Sequence, residues 1–326
     1  MIFEFVADPS FNFVASFAKK FKLPVHDDML LIPPAMGKGT IRRIDVAPEF
    51  KFVVHRYKLH EEFILKRKAA KVPNNLVSII FNSNENPVSL LTDVNEIQFS
   101  RTSAFAIQIA STDLDSEIRF PANKEICFTV VGITAPALKG LLQLKKPHAV
   151  VDTILQESAG FLFYESMGPD IQKTLKQLTD ADKDNELNVF FFRIKIQELL
   201  YALFQQLLKR ETTRHSRVYK TDIDKLFVVR TAVLADLSIP PRLPQLAKMA
   251  GLSETKMKDL FKQVFGDSIY HHYQKARMEA AAFLLKQGGH TVSEIGYQLG
   301  FLNLSHFSRL FEKHYGLTPK KYTSGG

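Results

Sequence analysis

One cysteine in 326 residues excludes an internal disulfide framework and any metal site built from several thiolates. Cys127 itself reads as a small buried hydrophobe. The sequence is 45% hydrophobic, yet it has no run of the ~18 uninterrupted apolar residues that a membrane-spanning helix needs, and no membrane partner is expected. The opening stretch, MIFEFVADPSFNFVASFAKKF, is apolar in places. Glu4 and Asp8 stand there where an export signal needs positive charge, so the expected location is cytoplasmic. No glycine-rich phosphate loop, nucleophile elbow or paired-carboxylate pattern stands out, and no enzyme is expected. Net charge is also missing from residues 1–205, where 24 Lys and Arg balance 24 Asp and Glu.

The net charge of +9 therefore lies entirely in the remainder, with +4 in residues 206–221 and +5 in residues 222–326. A neutral portion joined to a basic one suggests that the basic part meets a polyanion. Texture changes along the chain as well. Residues 1–35 are poorly defined, with one helix near Phe11–Phe21 and a turn at Pro33-Pro34. Seven short runs follow between Gly39 and Thr134: GTIRRIDV, EFKFVVHRYKL, EFILKRK, LVSIIF, AFAIQIA, EIRF and EICFTVVGIT. Many of them alternate, they are rich in β-branched and aromatic residues, and they predict a sandwich or barrel. From about Pro136 the texture is helical. A short helix is predicted over Asp170–Leu178 and a long one over Asn185–Lys209. In the long one, Val189, Phe192, Ile196, Leu199 and Leu203 are spaced as a heptad. That helix either packs wholly within its own subunit or shares a side with a partner. KRETTRHSRVYKT (209–221) reads as a linker, and Asp222 is expected to cap the next helix, which runs to about Leu237.

The informative feature is a repeat. LPQLAKMAGLSETKMKDLFKQVFG (243–266) aligns with VSEIGYQLGFLNLSHFSRLFEKHYG (292–316). Leu246, Ala247 and Gly251 match Ile295, Gly296 and Gly300. Met257, Leu260, Phe261 and Gly266 match Phe307, Leu310, Phe311 and Gly316, after one extra residue in the turn. Each copy predicts a short helix, a turn at a glycine that takes positive φ, and a second helix capped by Ser253 or Asn303. Ala247 and Gly296 are small where the two helices cross. This is the pattern of a helix-turn-helix. Between the copies, Ile269, Tyr273, Ala276, Ala280 and Leu284 form a stripe on one connecting helix that ends at Gly288-Gly289.

LAKMAGLS, LFKQVFG, Tyr273 with Arg277, the following Ala281, Leu284 and Leu285, IGYQLGF, SHFSRLF and YGLTPKKY carry a resemblance. With these residues the C-terminal hundred positions resemble the AraC/XylS family of transcription regulators, the arabinose-regulator family. The resemblance implies two helix-turn-helix units that bind double-stranded promoter DNA, activation through RNA polymerase, a homodimer and no cofactor. It also implies a cupin-like N-terminal β-barrel that senses a small-molecule effector or dimerises. The expected fold class is thus α+β: a cupin-like antiparallel barrel with following helices, then an all-α double helix-turn-helix domain. The expected divisions are 1–160 for sensing, 161–221 for dimerisation and linker, and 222–326 for DNA binding.

On this reading Thr255, Lys258 and Asp259 of the first unit face bases, while Ser253, Lys256 and Lys262 face phosphates. In the second unit Leu304, Ser305, Ser308 and Arg309 face the groove. Asn303 and His306 cap the helix or face phosphates, and Lys313 lies on the same polar side. Arg309 can fork onto a guanine or a phosphate. Asp259 can accept from a cytosine amino group or pair with Lys256 or Lys262; the family commonly has a basic or neutral polar residue there. A metal cupin needs closely spaced histidines and a following glutamate, whereas this region has only His26, His55, His60 and His148, so no metal is expected. Arg42, Arg43, Arg56 and Arg101 lie on or beside strands, where they meet an anionic ligand or sit on the outer face. The aromatics between Phe3 and Phe128 read as core. Two other readings stay open: a barrel that only dimerises, and a cupin enzyme fused to a DNA-binding tail.

Overall fold

All seven alternating runs contain a strand in the computed structural model, which describes residues 1–47, 50–70, 72, 74–85, 88–91, 96–99, 101, 106–156, 160–181, 186–210 and 217–324. In chain order the strands are β1 (Ile2–Val6), β2 (Val25–His26), β3 (Met29–Leu31), β4 (Gly37–Ile44), β5 (Phe50–Leu59), β6 (Phe63–Lys68) and β7 (Leu76–Asn82). They continue with β8 (Val88–Leu91), β9 (Glu96–Phe99), β10 (Ile107–Ser111), β11 (Ser116–Phe120), β12 (Glu125–Thr134) and β13 (Leu162–Glu165). The helices among them are α1 (Phe13–Phe21), α2 (Ala135–Leu142), α3 (Ala149–Leu155), α4 (Pro169–Thr179) and α5 (Asn188–Leu207). By its internal contacts the chain divides into two compact units, residues 1–224 with 263–266, and residues 225–262 with 267–326.

The expected sandwich or cupin-like antiparallel barrel takes the form of two sheets rather than a closed ring. One has five strands in the order β1-β6-β11-β8-β9, the other eight in the order β13-β10-β7-β12-β5-β4-β3-β2. One pairing is parallel: β1 runs beside β6, with Phe3 opposite Leu65 and Phe5 opposite Arg67. The physical reason for the layering is legible in β5. Its residues Phe52 and Val54 point to one face and His55 and Tyr57 share the other, and all four are buried. A strand alternates faces at every residue, so a strand buried on both sides must sit in a middle layer. Phe52 and Val54 join a core with Val77, Ile79, Val131 and Ile133 and with residues of α2, α3, α4 and α5. The opposite face meets the five-stranded sheet, where Phe120 stacks on Phe128 at 5.4 Å and Phe63 meets Tyr57 edge-on at 6.2 Å.

On α5, Phe192, Ile196, Leu199 and Leu203 of the heptad are buried in this same core, while Val189 is exposed. Phe190, Ile194 and Tyr201 are exposed as well. Cys127 is partly buried on β12, and burial pushes its thiol pKa up. Of the expected linker, residues 211–216 lie outside the described residues.

The remaining helices are α6 (Lys220–Ala235), α7 (Leu243–Ala250), α8 (Glu254–Phe265), α9 (Ile269–Gln287), α10 (Val292–Gln298), α11 (Leu304–Tyr315) and α12 (Pro319–Ser324). Asp222 is not the cap of α6, because that helix begins two residues earlier, and Asp222 sits in its first turn. The buried stripe of α9 also differs from the one expected: Ile269 and Tyr273 belong to it, but it continues through Arg277, Met278, Ala281, Ala282 and Leu285. Ala276, Ala280 and Leu284 lie at its margin. Among the described residues no helix is long and apolar enough to cross a membrane.

Candidate nucleic-acid interface

The first helix-turn-helix starts from α7, which buries Leu246, Ala247 and Ala250. Gly251 ends it at φ +59°, and the Leu252 amide donates back to the Ala247 carbonyl. Left-handed backbone of this kind is costly for any residue with a Cβ. Ser253 then accepts from the Lys256 amide at 3.3 Å, capping α8. Met257, Leu260 and Phe261 turn inward. Their burial leaves Thr255, Lys256, Lys258 and Asp259 exposed and Lys262 half-buried. Thr255 and Asp259 are one helical turn apart, as are Lys258 and Lys262, so these four share one side.

The second unit repeats the construction with stronger caps. Thr291 and Glu294 form a reciprocal capping box at the start of α10. Gly300 turns the chain at φ +75°. It is held there for a second reason: a Cβ added to it would lie inside the contact distance of the Ser238 carbonyl and 2.7 Å from its carbon. Asn303 accepts from the amides of Ser305 and His306 at 2.9 and 3.1 Å, so its side chain is the cap of α11. Phe307 and Phe311 are buried. Ser305, His306, Arg309 and Lys313 are exposed, and Ser305, Arg309 and Lys313 form one stripe at four-residue spacing. Ser308 is half-buried. Leu304 is half-buried too and lies over Gly296, where a Cβ would come within 2.6 Å of its Cδ2. Its methyl groups serve the crossing of α10 and α11. The extra residue of this turn is Leu302, 98% exposed, which the repeat alone did not single out.

The partners of Tyr273 and Arg277 are not legible in the sequence, because a pair spaced four apart on one helix does not state what lies against it. On α9, the Tyr273 hydroxyl donates to the Leu237 carbonyl at 3.0 Å, ahead of the first unit. Arg277 is buried and forks onto the Leu299 carbonyl through Nε at 3.0 Å and Nη2 at 2.6 Å. Its guanidinium lies 3.6 Å from the centre of the Phe301 ring. Burial lowers its pKa from the usual arginine value, but the group keeps its charge through these carbonyl and aromatic contacts. On the other side, Phe261 of α8 packs edge-on against His272 of α9 at 5.6 Å. One helix thereby touches both units through fixed, short contacts. Met278, Ala281 and Leu285 of α9 share a core with Ile295, Leu299, Phe301, Phe307 and Phe311.

Electrostatically the two outward faces differ. Position 259 carries a carboxylate where its repeat counterpart, 309, carries a guanidinium. The ion pairs among the described residues include neither of them, so Asp259 does not form the pair with Lys256 or Lys262 that its sequence neighbourhood allows.

Residues 246–325 match the family model described as a helix-turn-helix domain. An uncharacterized HTH-type transcriptional regulator of Haemophilus influenzae is 34% identical over 97 residues, covering 29% of this chain and 33% of that protein. The HTH-type transcriptional activator RhaR of Yersinia pestis is 28% identical over 130 residues, covering 40% of this chain and 45% of RhaR. The chain thus spans between a third and a half of the length of the curated relatives it matches. Among solved structures, a transcriptional regulator with an AraC-type DNA-binding domain from Chromobacterium violaceum is 28% identical. The likeness covers 31% of this chain and 89% of that one, with a TM-score of 0.29. ToxT from Vibrio cholerae is 15% identical, covering 84% of this chain and 98% of its own, with a TM-score of 0.32.

Proposed function

We propose that the chain, whose residues 246–325 match the helix-turn-helix family model, is a transcription regulator of the AraC type that binds double-stranded promoter DNA with both units at once. The observation that carries this is the pair of capped, outward-facing helices, α8 and α11, tied to one connecting helix. Helices presented this way enter successive major grooves about 34 Å apart on one side of the duplex. In α11, Ser305 and Arg309 read base edges while His306 and Lys313 approach phosphates. In α8, Thr255, Lys258 and Asp259 face bases, and Ser253, Lys256 and Lys262 lie toward phosphates. Leu304 and Ser308 contribute at the groove edge, and Asn303 acts through its cap.

Residues 222–326 carry DNA binding in this reading, and residues 1–160 sense a small molecule. Residues 161–221 join two copies, since Phe190, Ile194 and Tyr201 leave an apolar side of α5 uncovered. The regulator is an activator that engages RNA polymerase, as the name of the RhaR relatives suggests, works in the cytoplasm on the nucleoid, and catalyses no reaction. The test is Arg309→Ala in the full chain. A bidentate base contact is worth about 1–3 kcal/mol of discrimination, so affinity for a selected site is expected to fall about tenfold or more with little change on random DNA. Equal losses on both would reduce Arg309 to a phosphate contact.

A further inference from the structure

The facing surfaces of the two sheets line a partly open cavity of about 90 Å³. Alternation builds its wall. On β6 the inward residues that line it are Leu65 and Arg67; on β5 they are Lys51, Val53 and His55. Most of the lining is apolar, with Phe5, Phe13, Leu65, Ile118 and Phe128 prominent. Three polar side chains in it, His55, Arg67 and Ser78, are less than a tenth exposed. His55 stacks on Phe128 at 4.0 Å and meets Phe13 edge-on at 4.7 Å, and neither of its ring nitrogens has a hydrogen-bond partner. Burial lowers its pKa to about 3, so the ring is neutral and offers one N–H. Arg67 donates through Nη2 to the Leu114 carbonyl at 3.3 Å, but its Nε–H is buried and unmatched. Lys51 gives its ammonium to the carbonyls of Asp8 at 3.2 Å and Phe11 at 2.8 Å, and no ion pair among the described residues includes it.

Buried donors without acceptors are rare in folded proteins, because each has given up water for nothing. The lining holds Lys51, Arg67 and an imidazole N–H around an apolar space, with one carboxylate, Asp8, which offsets the charge of Lys51 and leaves Arg67 as the cation with no carboxylate in the lining. A cation is disfavoured, because the unmatched Nε–H of Arg67 and the His55 N–H are donors that a cation cannot satisfy. A polyol is disfavoured because few wall groups could match its hydroxyls. Among the described residues the larger groove of about 510 Å³ beside α4 has no such unmatched buried group: Arg56 pairs with Glu125 and Asp180, and Arg101 pairs with Glu85.

Building on the reading of residues 1–160 as a sensing domain, we propose that the inter-sheet cavity binds a small monocarboxylate with an apolar body. The carboxylate accepts from Arg67 Nε and the His55 N–H, and the body lies among Phe5, Phe13, Leu65, Ile118 and Phe128. The volume suits one ring or a chain of a few carbons and is well below the roughly 300–1,000 Å³ of sites for drug-sized molecules.

Calorimetric titration of the full chain with hexanoate and benzoate, against hexanamide and benzamide, tests this. At least one carboxylate is expected to bind tenfold or more tightly than its amide. Arg67→Met removes that preference, and Val130→Phe, which fills the cavity without changing charge, removes binding of both. Neither carboxylate binding, an amide binding as well as its acid, or a preference that survives in folded Arg67→Met overturns the proposal. Should Arg67→Met fail to fold, undiminished carboxylate binding in folded Val130→Phe overturns it equally. Mobility shifts of promoter DNA on the same preparations separate the two readings. A protein that shifts DNA but binds no carboxylate loses only the cavity assignment, and one that binds the acid but no DNA loses only the regulator.

Discussion

Replacing each turn glycine of the repeat by alanine separates backbone conformation from close packing. Gly251 and Gly300 occupy equivalent positions and both have positive φ, +59° and +75°. At Gly251 the nearest atom to an added Cβ is the Lys225 Nζ at 3.9 Å, the movable end of a side chain. Gly251→Ala therefore pays only for left-handed backbone, about 1–2 kcal/mol, less some compensation from a stiffer unfolded chain. At Gly300 the added Cβ meets the backbone of Ser238. The turn or the 238 segment must move, which adds about 1–3 kcal/mol of overpacking. Hydrogen exchange of the full chain reads the two units separately. Gly251→Ala is expected to speed exchange of α7 and α8 amides about tenfold, and Gly300→Ala to speed that of α10 and α11 a hundredfold or more, at 1.36 kcal/mol per factor of ten. Equal effects at the two sites would refute the claim that Ser238 packs against the second turn.

Other expectations follow from the same contacts. Arg277→Lys keeps charge but loses the fork onto Leu299 and the stack on Phe301; it is expected to cost about 1.5–3 kcal/mol, seen as faster exchange in α10 and weaker specific DNA binding. Asn303→Ala removes the cap of α11 and is expected to cost about 1 kcal/mol in a denaturation midpoint shift, with Asn303→Gly costing only a few tenths. His55 has a folded pKa of about 3 against 6.5 unfolded, so the unfolded chain takes up the proton first as pH falls. Its contribution is complete above pH 6.5 and declines from there toward pH 3, by up to about 1.4 kcal/mol per pH unit. Buried His272 acts in the same sense. Urea titrations at pH 7 and pH 5 should show a loss that His55→Phe reduces and His272→Phe reduces separately.

The helix-turn-helix units were legible because their signals are local. Glycine at a turn, a cap four residues before a buried apolar residue, and a repeat at nearly constant offset all lie within one short window. The heptad on α5 was legible for the same reason, and Phe192, Ile196, Leu199 and Leu203 are its buried side. Sheet partners are set by distant residues, and there the sequence was silent. Nothing in MIFEFV announces a parallel neighbour sixty residues on, and the short β8 and β9 and the late strand β13 carry no long alternation. The cavity shows the same limit. Arg42, Arg43, Arg56 and Arg101 drew notice as strand arginines, yet Arg43, Arg56 and Arg101 form ion pairs and Arg42 lies over Phe192. Arg67 escaped notice, although in FILKRK it falls in phase with Phe63 and Leu65 and so must point inward.

Hydroxyl-radical footprinting of the full chain, on sites selected from random-sequence DNA, bears most directly on the two-helix reading. Two protected patches are expected on one face of the duplex, about one helical turn apart, with Arg309→Ala erasing one and sparing the other. A single patch, or failure to select any preferred sequence, would contradict it.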